Sequence, residues 1–264
     1  TYSMEAMMHD GKALQAGTSH FFGTNFAEAY GIQFLSKEGK LEYAQETSWG
    51  VSTRLIGAII MTHGDDRGLR LPPQVAPIQV VVLPIAAHKP GVLEGAKVIA
   101  DRLTAAGVRV KFDDRDTVSP GWKFNEWEMK GVPVRLEVGP RDLENNQVMV
   151  ARRDTFEKFA LPMDGLEGEI EALLASIQKT MFEQARDFRD EHTTEVHNYE
   201  ELKAAVEGGF AKGMWCGDAA CEEKLKADIN ATTRNMPFDQ TPCGDTCCVC
   251  GKRATKLMYF AKAY

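Results

Sequence analysis

The chain has 264 residues and a net charge of −7; it is 44% hydrophobic and 26% charged, ordinary globular proportions that exclude disordered, collagen-like and mucin-like chains. Its longest apolar stretch, Val75 to Ala87, is broken by Pro77, Gln79 and Pro84, so nothing approaches the roughly 18 uninterrupted apolar residues of a membrane span, and no membrane partner is expected. The acidity is local, with sixteen Asp and Glu against seven Lys and Arg in residues 161–231, which leaves a focused basic face elsewhere open.

The first twelve residues, TYSMEAMMHDGK, carry neither a basic nor an apolar signal region. They also lack an initiator Met, so the chain is expected to be the later part of a longer protein. Residues 1–72 form a first segment, closed by the turn-rich GDDRGLRLPP from Gly64 to Pro73. Within it Leu41 to Ala44 reads as a strand. Leu55, Ile56, Ile59 and Ile60 share one face of a helix that starts near Ser52, a fair N-cap. Gly50 lets the backbone approach a ligand closely. Arg54, in the first turn, adds a permanent cation to the favourable field of the helix start, a combination suited to phosphate. The same residues also fit an ordinary core helix with a solvated Arg.

Residues 73–163 form the second segment. Strands are predicted at Ile78–Leu83, Val108–Phe112, Val132–Val138 and Gln147–Ala151. Helices are predicted at Gly91–Ala106, with Val92, Ala96, Ile99 and Leu103 on one face, and at Gly121–Lys130. The alternation suggests an α/β sandwich with a mixed sheet. Trp122, Lys123, Trp127 and Lys130 interleave aromatics with cations, as single-stranded RNA readers do, or else the tryptophans are core and the lysines solvated.

Residues 164–264 open with a long helix, about Asp164 to Glu191, whose apolar stripe is Leu166, Ile170, Leu173, Leu174, Ile177, Met181 and Phe182. A short helix from Tyr199 to Val206 and a final strand, Lys256–Phe260, follow. All six cysteines lie here. Cys216-x4-Cys221 and Cys247-x2-Cys250-Gly251 are two pairs that can close a structural zinc site of four thiolates. Cys248-x-Cys250 is the competing second pair, and free buried thiols are the plain alternative.

GVSTRLIGAII (Gly50 to Ile60) resembles motif 3 of class II aminoacyl-tRNA synthetases. The wider block from Thr47 to Ile85 resembles the prolyl-tRNA synthetase family closely. So do ALQAGTSHFFGTNF (Ala13 to Phe26), SPGWKFNEWEMKGVPVRLEVGPRDL (Ser119 to Leu143) and the ending YFAKAY. The resemblance spans all three segments and matches the variant with a C-terminal zinc-binding domain. It implies an α/β and α+β multidomain protein: the end of an antiparallel-sheet catalytic domain, a mixed-sheet anticodon-binding domain and a small α+β zinc domain.

It also implies ATP-dependent activation of L-proline and transfer of the prolyl group to tRNA(Pro), with Mg2+ and structural Zn2+, in a cytoplasmic homodimer. Gln15, Thr18, Ser52 and Arg54 would face ATP. His20, Ser48, Trp49 and Gly50 would frame proline, with Arg54 and His20 as catalytic residues. Glu128, Arg135, Arg141 and Asp142 would read the anticodon. Cys216, Cys221, Cys247 and Cys250 would hold the metal. Tyr264, the last residue, would fold back toward the active site. Thr53 stands where many motif 3 sequences carry Glu. Motifs 1 and 2 are absent, so this chain by itself is expected not to activate proline. The rival reading is a non-catalytic RNA-binding or regulatory fragment that keeps the anticodon and zinc domains.

Overall fold

The computed structural model describes residues 1–264. The first segment holds strands Tyr2–Met7 (β1) and Ala13–Gly23 (β2), helix Asn25–Tyr30 (α1) and the hairpin strands Gln33–Leu35 (β3) and Leu41–Tyr43 (β4). Strand Glu46–Gly50 (β5) and helix Arg54–His63 (α2) complete it. β2 is the centre of an antiparallel sheet, flanked by β1 and β5. The strand that delivers Gly50 is therefore β5, not the predicted Leu41–Ala44, which pairs in its own hairpin with β3. β5 is mostly exposed polar sequence, so no apolar alternation announces it.

The second segment contains strand Val80–Pro84 (β6), helix Val92–Ala105 (α3), strand Val110–Phe112 (β7) and helix Pro120–Met129 (α4). Strand Val134–Val138 (β8), helix Pro140–Glu144 (α5) and strands Gln147–Arg152 (β9) and Lys158–Pro162 (β10) follow. The long helix Leu166–Glu191 (α6) comes next. The sheet runs β10-β9-β8-β6-β7. β6 is parallel to β7 and β8, whereas β9 and β10 are antiparallel, so the sheet is mixed as predicted.

Val80, Val82, Leu136 and Val150 pack with Ala96, Ile99 and Leu103 of α3 and with Leu166, Ile170 and Ile177 of α6. The opposite face, Val81 and Leu83, meets Trp127 of α4. Phe182 departs from the predicted stripe: it is 63% exposed, beneath the Arg186 guanidinium.

The final segment has strand Thr193–Val196 (β11), helix Tyr199–Ala205 (α7), strand Phe210–Trp215 (β12) and helix Ala219–Ile229 (α8). Strands Ala231–Thr233 (β13) and Lys256–Lys262 (β14) close it, in a sheet ordered β11-β12-β14-β13. Contacts divide the chain into two compact units, residues 63–187 and a second formed jointly by residues 1–62 and 188–264. In the joint unit Met7 and Ala13 share a small core with Phe210 and Ala261, and Ala13 bridges Ala263. First and last stretches of the chain thus fold together.

Candidate functional sites

The four thiols Cys216, Cys221, Cys247 and Cys250 lie with all sulfurs within 4.8 Å of one another. Cys216 follows β12, Cys221 sits in the first turns of α8, and the other pair lies on the turn before β14. Cys216 Sγ is 3.6 Å from Cys221 Sγ and 3.8 Å from Cys250 Sγ. Tetrahedral zinc with bonds of about 2.3 Å sets its sulfurs about 3.8 Å apart, so the set fits that ion. Gly251, at φ +72°, takes the left-handed turn that closes the second pair, and the Gly251 amide donates to the Cys247 carbonyl at 2.8 Å. Cys248 is outside the group. It is buried against Gly213 of β12, and burial pushes its thiol up to about 12.

In the joint unit, β2, β5 and the start of α2 wall an open cleft. Gln15, Thr18, His20, Ser48, Trp49, Gly50, Ser52 and Arg54 all line it. The strand pairing explains why: Thr18 lies opposite Gly50, and His20 opposite Ser48. Arg54 Nη1 donates to the Gln15 carbonyl at 3.3 Å, and the Arg54 amide donates to Ser52 Oγ at 3.3 Å. His20 stacks on Phe22, with Nδ1 2.9 Å from Thr1 Oγ1.

Gln15 and Arg54 also line a second, larger cavity of about 720 Å3, with Thr53, Arg234 and Tyr264 on its walls. Tyr264 is tied there: its hydroxyl donates to Asp10 Oδ2 at 2.6 Å and its amide to the Ala13 carbonyl at 3.3 Å. Burial, then the Asp10 carboxylate, push the tyrosine hydroxyl up to about 12. Partial burial works against the Asp10 carboxylate, but Tyr264 and Lys12 outweigh it and hold the group below the usual range.

The unit of residues 63–187 carries a cavity of about 160 Å3 lined by Arg67, Arg135, Arg152, Arg153 and Lys158, with Glu128, Trp127 and Phe156. Arg135 donates to Glu137 at 3.2 Å and lies 4.3 Å from the Phe124 ring centroid. Glu128 accepts from Arg67 at 3.1 Å. Arg141 and Asp142 do not line this cavity; both belong to α5. The Asp142 carboxylate caps that helix, accepting from the Gly139 amide at 2.8 Å.

The two tryptophans divide. Trp127 is buried and its Nε1 donates to Asp113 at 2.8 Å, whereas Trp122 is 49% exposed. Lys123 is buried with Trp127, its Nζ donating to the Asp113 carbonyl at 3.0 Å. Burial would raise the Asp113 carboxyl, but Arg115 and Trp127 hold it far below the usual range.

Residues 79–173 match the anticodon binding domain family, and residues 199–264 match the family "Prolyl-tRNA synthetase, C-terminal". The whole chain aligns with proteins named proline–tRNA ligase. It is 56% identical to that of Lachnospira eligens and 57% to that of Clostridium novyi, each over 266 aligned residues covering 55% of the relative. A third, named proline–tRNA ligase 2, from Clostridioides difficile, is 56% identical over the same share. The chain belongs to the prolyl-tRNA synthetase family. It spans about half the length of the curated relatives it matches and corresponds to their C-terminal part. No helix is long and apolar enough to cross a membrane.

Arg234, on the wall of the larger cavity, is a residue that family motifs did not flag. It follows β13 and reaches β1, where Nη2 donates to Glu5 Oε2 at 2.7 Å. The Glu5 side chain is 3% exposed and that of Arg234 14%, so the pair is largely dry. Glu5 is paired in register with Gln15, so this ion pair braces the strand that carries a cleft residue. The sequence signal for it is a lone acid in a strand otherwise without charge, YSMEAM.

Proposed function

We propose that this chain is the part of a proline–tRNA ligase that supplies one wall of the ATP and proline site, the anticodon-reading domain and a structural zinc unit. The reaction joins ATP and L-proline into prolyl-adenylate with release of pyrophosphate. The prolyl group then passes to the 3′ end of tRNA(Pro). The observation that carries the reading is the single cleft in which Gln15, Thr18, His20, Ser48, Trp49, Gly50, Ser52 and Arg54 meet.

Within that cleft Arg54 offers a permanent charge to phosphate at a helix start, where the backbone field also favours anions. Gln15 and Thr18 offer polar groups to the nucleotide, and Ser52 fixes the backbone turn that aims Arg54. His20 and the Ser48–Gly50 edge would frame the proline ring, with Trp49 as an apolar wall. The lining residues include no carboxylate, so Mg2+ would arrive with the phosphates and neutralise part of their charge. Catalysis here rests on positioning and charge stabilisation.

Glu128 and Arg135 would read anticodon base edges, a carboxylate accepting from guanine amino and imino groups and a guanidinium reaching its acceptors. Arg141 would meet the RNA from α5, outside that cavity, and Asp142 would act through the position of α5. Zn2+ would be held by Cys216, Cys221, Cys247 and Cys250; four thiolates leave no open coordination position, so its role is structural. The protein would act as a cytoplasmic homodimer.

The test is proline-dependent ATP–pyrophosphate exchange and charging of tRNA(Pro), measured on this chain joined to the N-terminal half that its relatives carry. Exchange and charging are expected. RNA binding without exchange would favour a non-catalytic RNA-binding fragment.

A further inference from the structure

Phe156 occupies the turn between β9 and β10 with φ +61°. Three other non-glycine residues have positive φ, and they are an alanine and two asparagines. Asparagine tolerates that conformation; a bulky aromatic adopts it only under strain. Phe156 remains 44% exposed, so the ring is only partly used in packing. Glycine would take the turn freely. The turn itself does not call for a ring at this place, and strain of this kind collects at functional sites.

The surroundings of the ring suggest what it meets. Its centroid is 4.3 Å from the Arg67 guanidinium and 5.1 Å from that of Arg153. Arg153 is fixed: 5% exposed, it donates to both Asp65 oxygens at 2.6 and 2.7 Å and to the Glu128 carbonyl at 2.9 Å. Arg67 is loose by comparison, its side chain 61% exposed and held at Glu128 alone among acids. Gly68 keeps that loop close to α4, since a Cβ there would stand 2.6 Å from the Met129 carbonyl. The cavity beside the ring, 160 Å3, is below the roughly 300 Å3 of a typical small-molecule pocket, so a fragment such as one planar base suits it. Its lining holds five cations, all in ion pairs, of which Arg67 and Lys158 are the exposed ones that a phosphate could reach.

We propose that Phe156 is a stacking platform for one unpaired base of the tRNA anticodon loop. Arg67 is the neighbour that shifts to admit the base, and Arg153 is the fixed shelf behind the ring. Any base can stack in this way, so Phe156 contributes affinity and register while the groups at Glu128 and Arg135 discriminate. The inference rests on the reading of this unit as the anticodon reader.

The test compares Phe156→Gly, Phe156→Leu and Arg135→Ala in this chain for binding to an anticodon stem-loop of tRNA(Pro). Phe156→Gly is expected to weaken binding about five- to hundredfold while the melting temperature holds or rises, because strain is released. Phe156→Leu keeps apolar bulk without an aromatic face and should lose binding as well. The salt dependence of binding should stay the same in both, since stacking releases no counterions. A 2-aminopurine in the loop should be quenched by the native chain and not by Phe156→Gly.

Unchanged binding in both Phe156 variants, with Arg135→Ala weakened, would overturn the proposal and leave the anticodon reading standing. Melting temperature and binding falling together in both would mark the ring as a packing element and also overturn it. If no variant changes binding, the RNA docks elsewhere, and the anticodon reading falls with the proposal.

Discussion

Replacing Cys221 by Ser tests the metal site at a buried corner carried by a helix. Cys221 is 5% exposed on α8, whose Leu225 and Ile229 enter the same core as Phe260 of β14. The loss of a thiolate is thus felt by the helix and the sheet together. Structural zinc sites of this kind are worth about 10–16 kcal/mol, so a hydroxyl in place of one of four thiolates should forfeit about a quarter, ~3–4 kcal/mol. That is two to three decades of zinc affinity.

The assay is competition with a chromophoric chelator, alongside elemental analysis of reduced protein. The native chain should hold about one zinc, with affinity falling as pH drops because protons compete for the thiolates. Hydrogen exchange in the Cys221→Ser protein should rise in α8, β13 and β14 and not in α3 or β6. Cys248→Ser is the control: its thiol faces Gly213, outside the group of four, so zinc should stay. Zinc lost from Cys248→Ser but kept by Cys247→Ser would refute the ligand set. Absence of metal in fresh, reduced protein would refute the site.

Arg54→Ala, in the protein completed with the N-terminal half, should slow ATP–pyrophosphate exchange by ~2–4 kcal/mol, roughly thirty- to a thousandfold, with tRNA binding intact; equal exchange rates would sink the phosphate role. Arg234→Ala should destabilise the joint unit by about 3–5 kcal/mol in chemical denaturation, because it strands the buried Glu5 carboxylate. Adding Glu5→Gln should recover part of that loss, and no recovery would mean that the guanidinium matters for something other than this charge. Tyr264 is a group whose ionisation is raised on folding, so its contribution is present below about 10 and is lost as pH climbs toward 12. Asp10→Asn should lower that ionisation part of the way, since burial, the larger cause, remains; ultraviolet difference absorbance reads it, and an unmoved late titration would exclude the Asp10 contact.

The strongly periodic elements were legible from sequence alone. α3 buries Val92, Ala96, Ile99 and Leu103 as their spacing requires, and α6 buries Leu166, Ile170, Ile177 and Met181. Local patterns suffice there because each element hides one apolar face. The cysteine spacing likewise named two pairs, and the family motifs named cleft residues on separate stretches. β5 escaped, since exposed ETSWG has no alternating apolar face, and β1 and β12 lie in stretches whose pattern was not decisive.

Long-range placement could not be read from local pattern. Only the folded chain separates Cys247 from Cys248, because adjacent residues on a turn point to different sides and the choice depends on where Gly213 and α8 lie. Only it joins residues 1–62 to 188–264, pairs Arg234 with Glu5 across 229 positions and turns Asp142 into a helix cap. Spacing reports which residues share a face within one element. Which faces meet is set by burial and charge pairing between elements far apart in the chain, and that is a property of the tertiary structure.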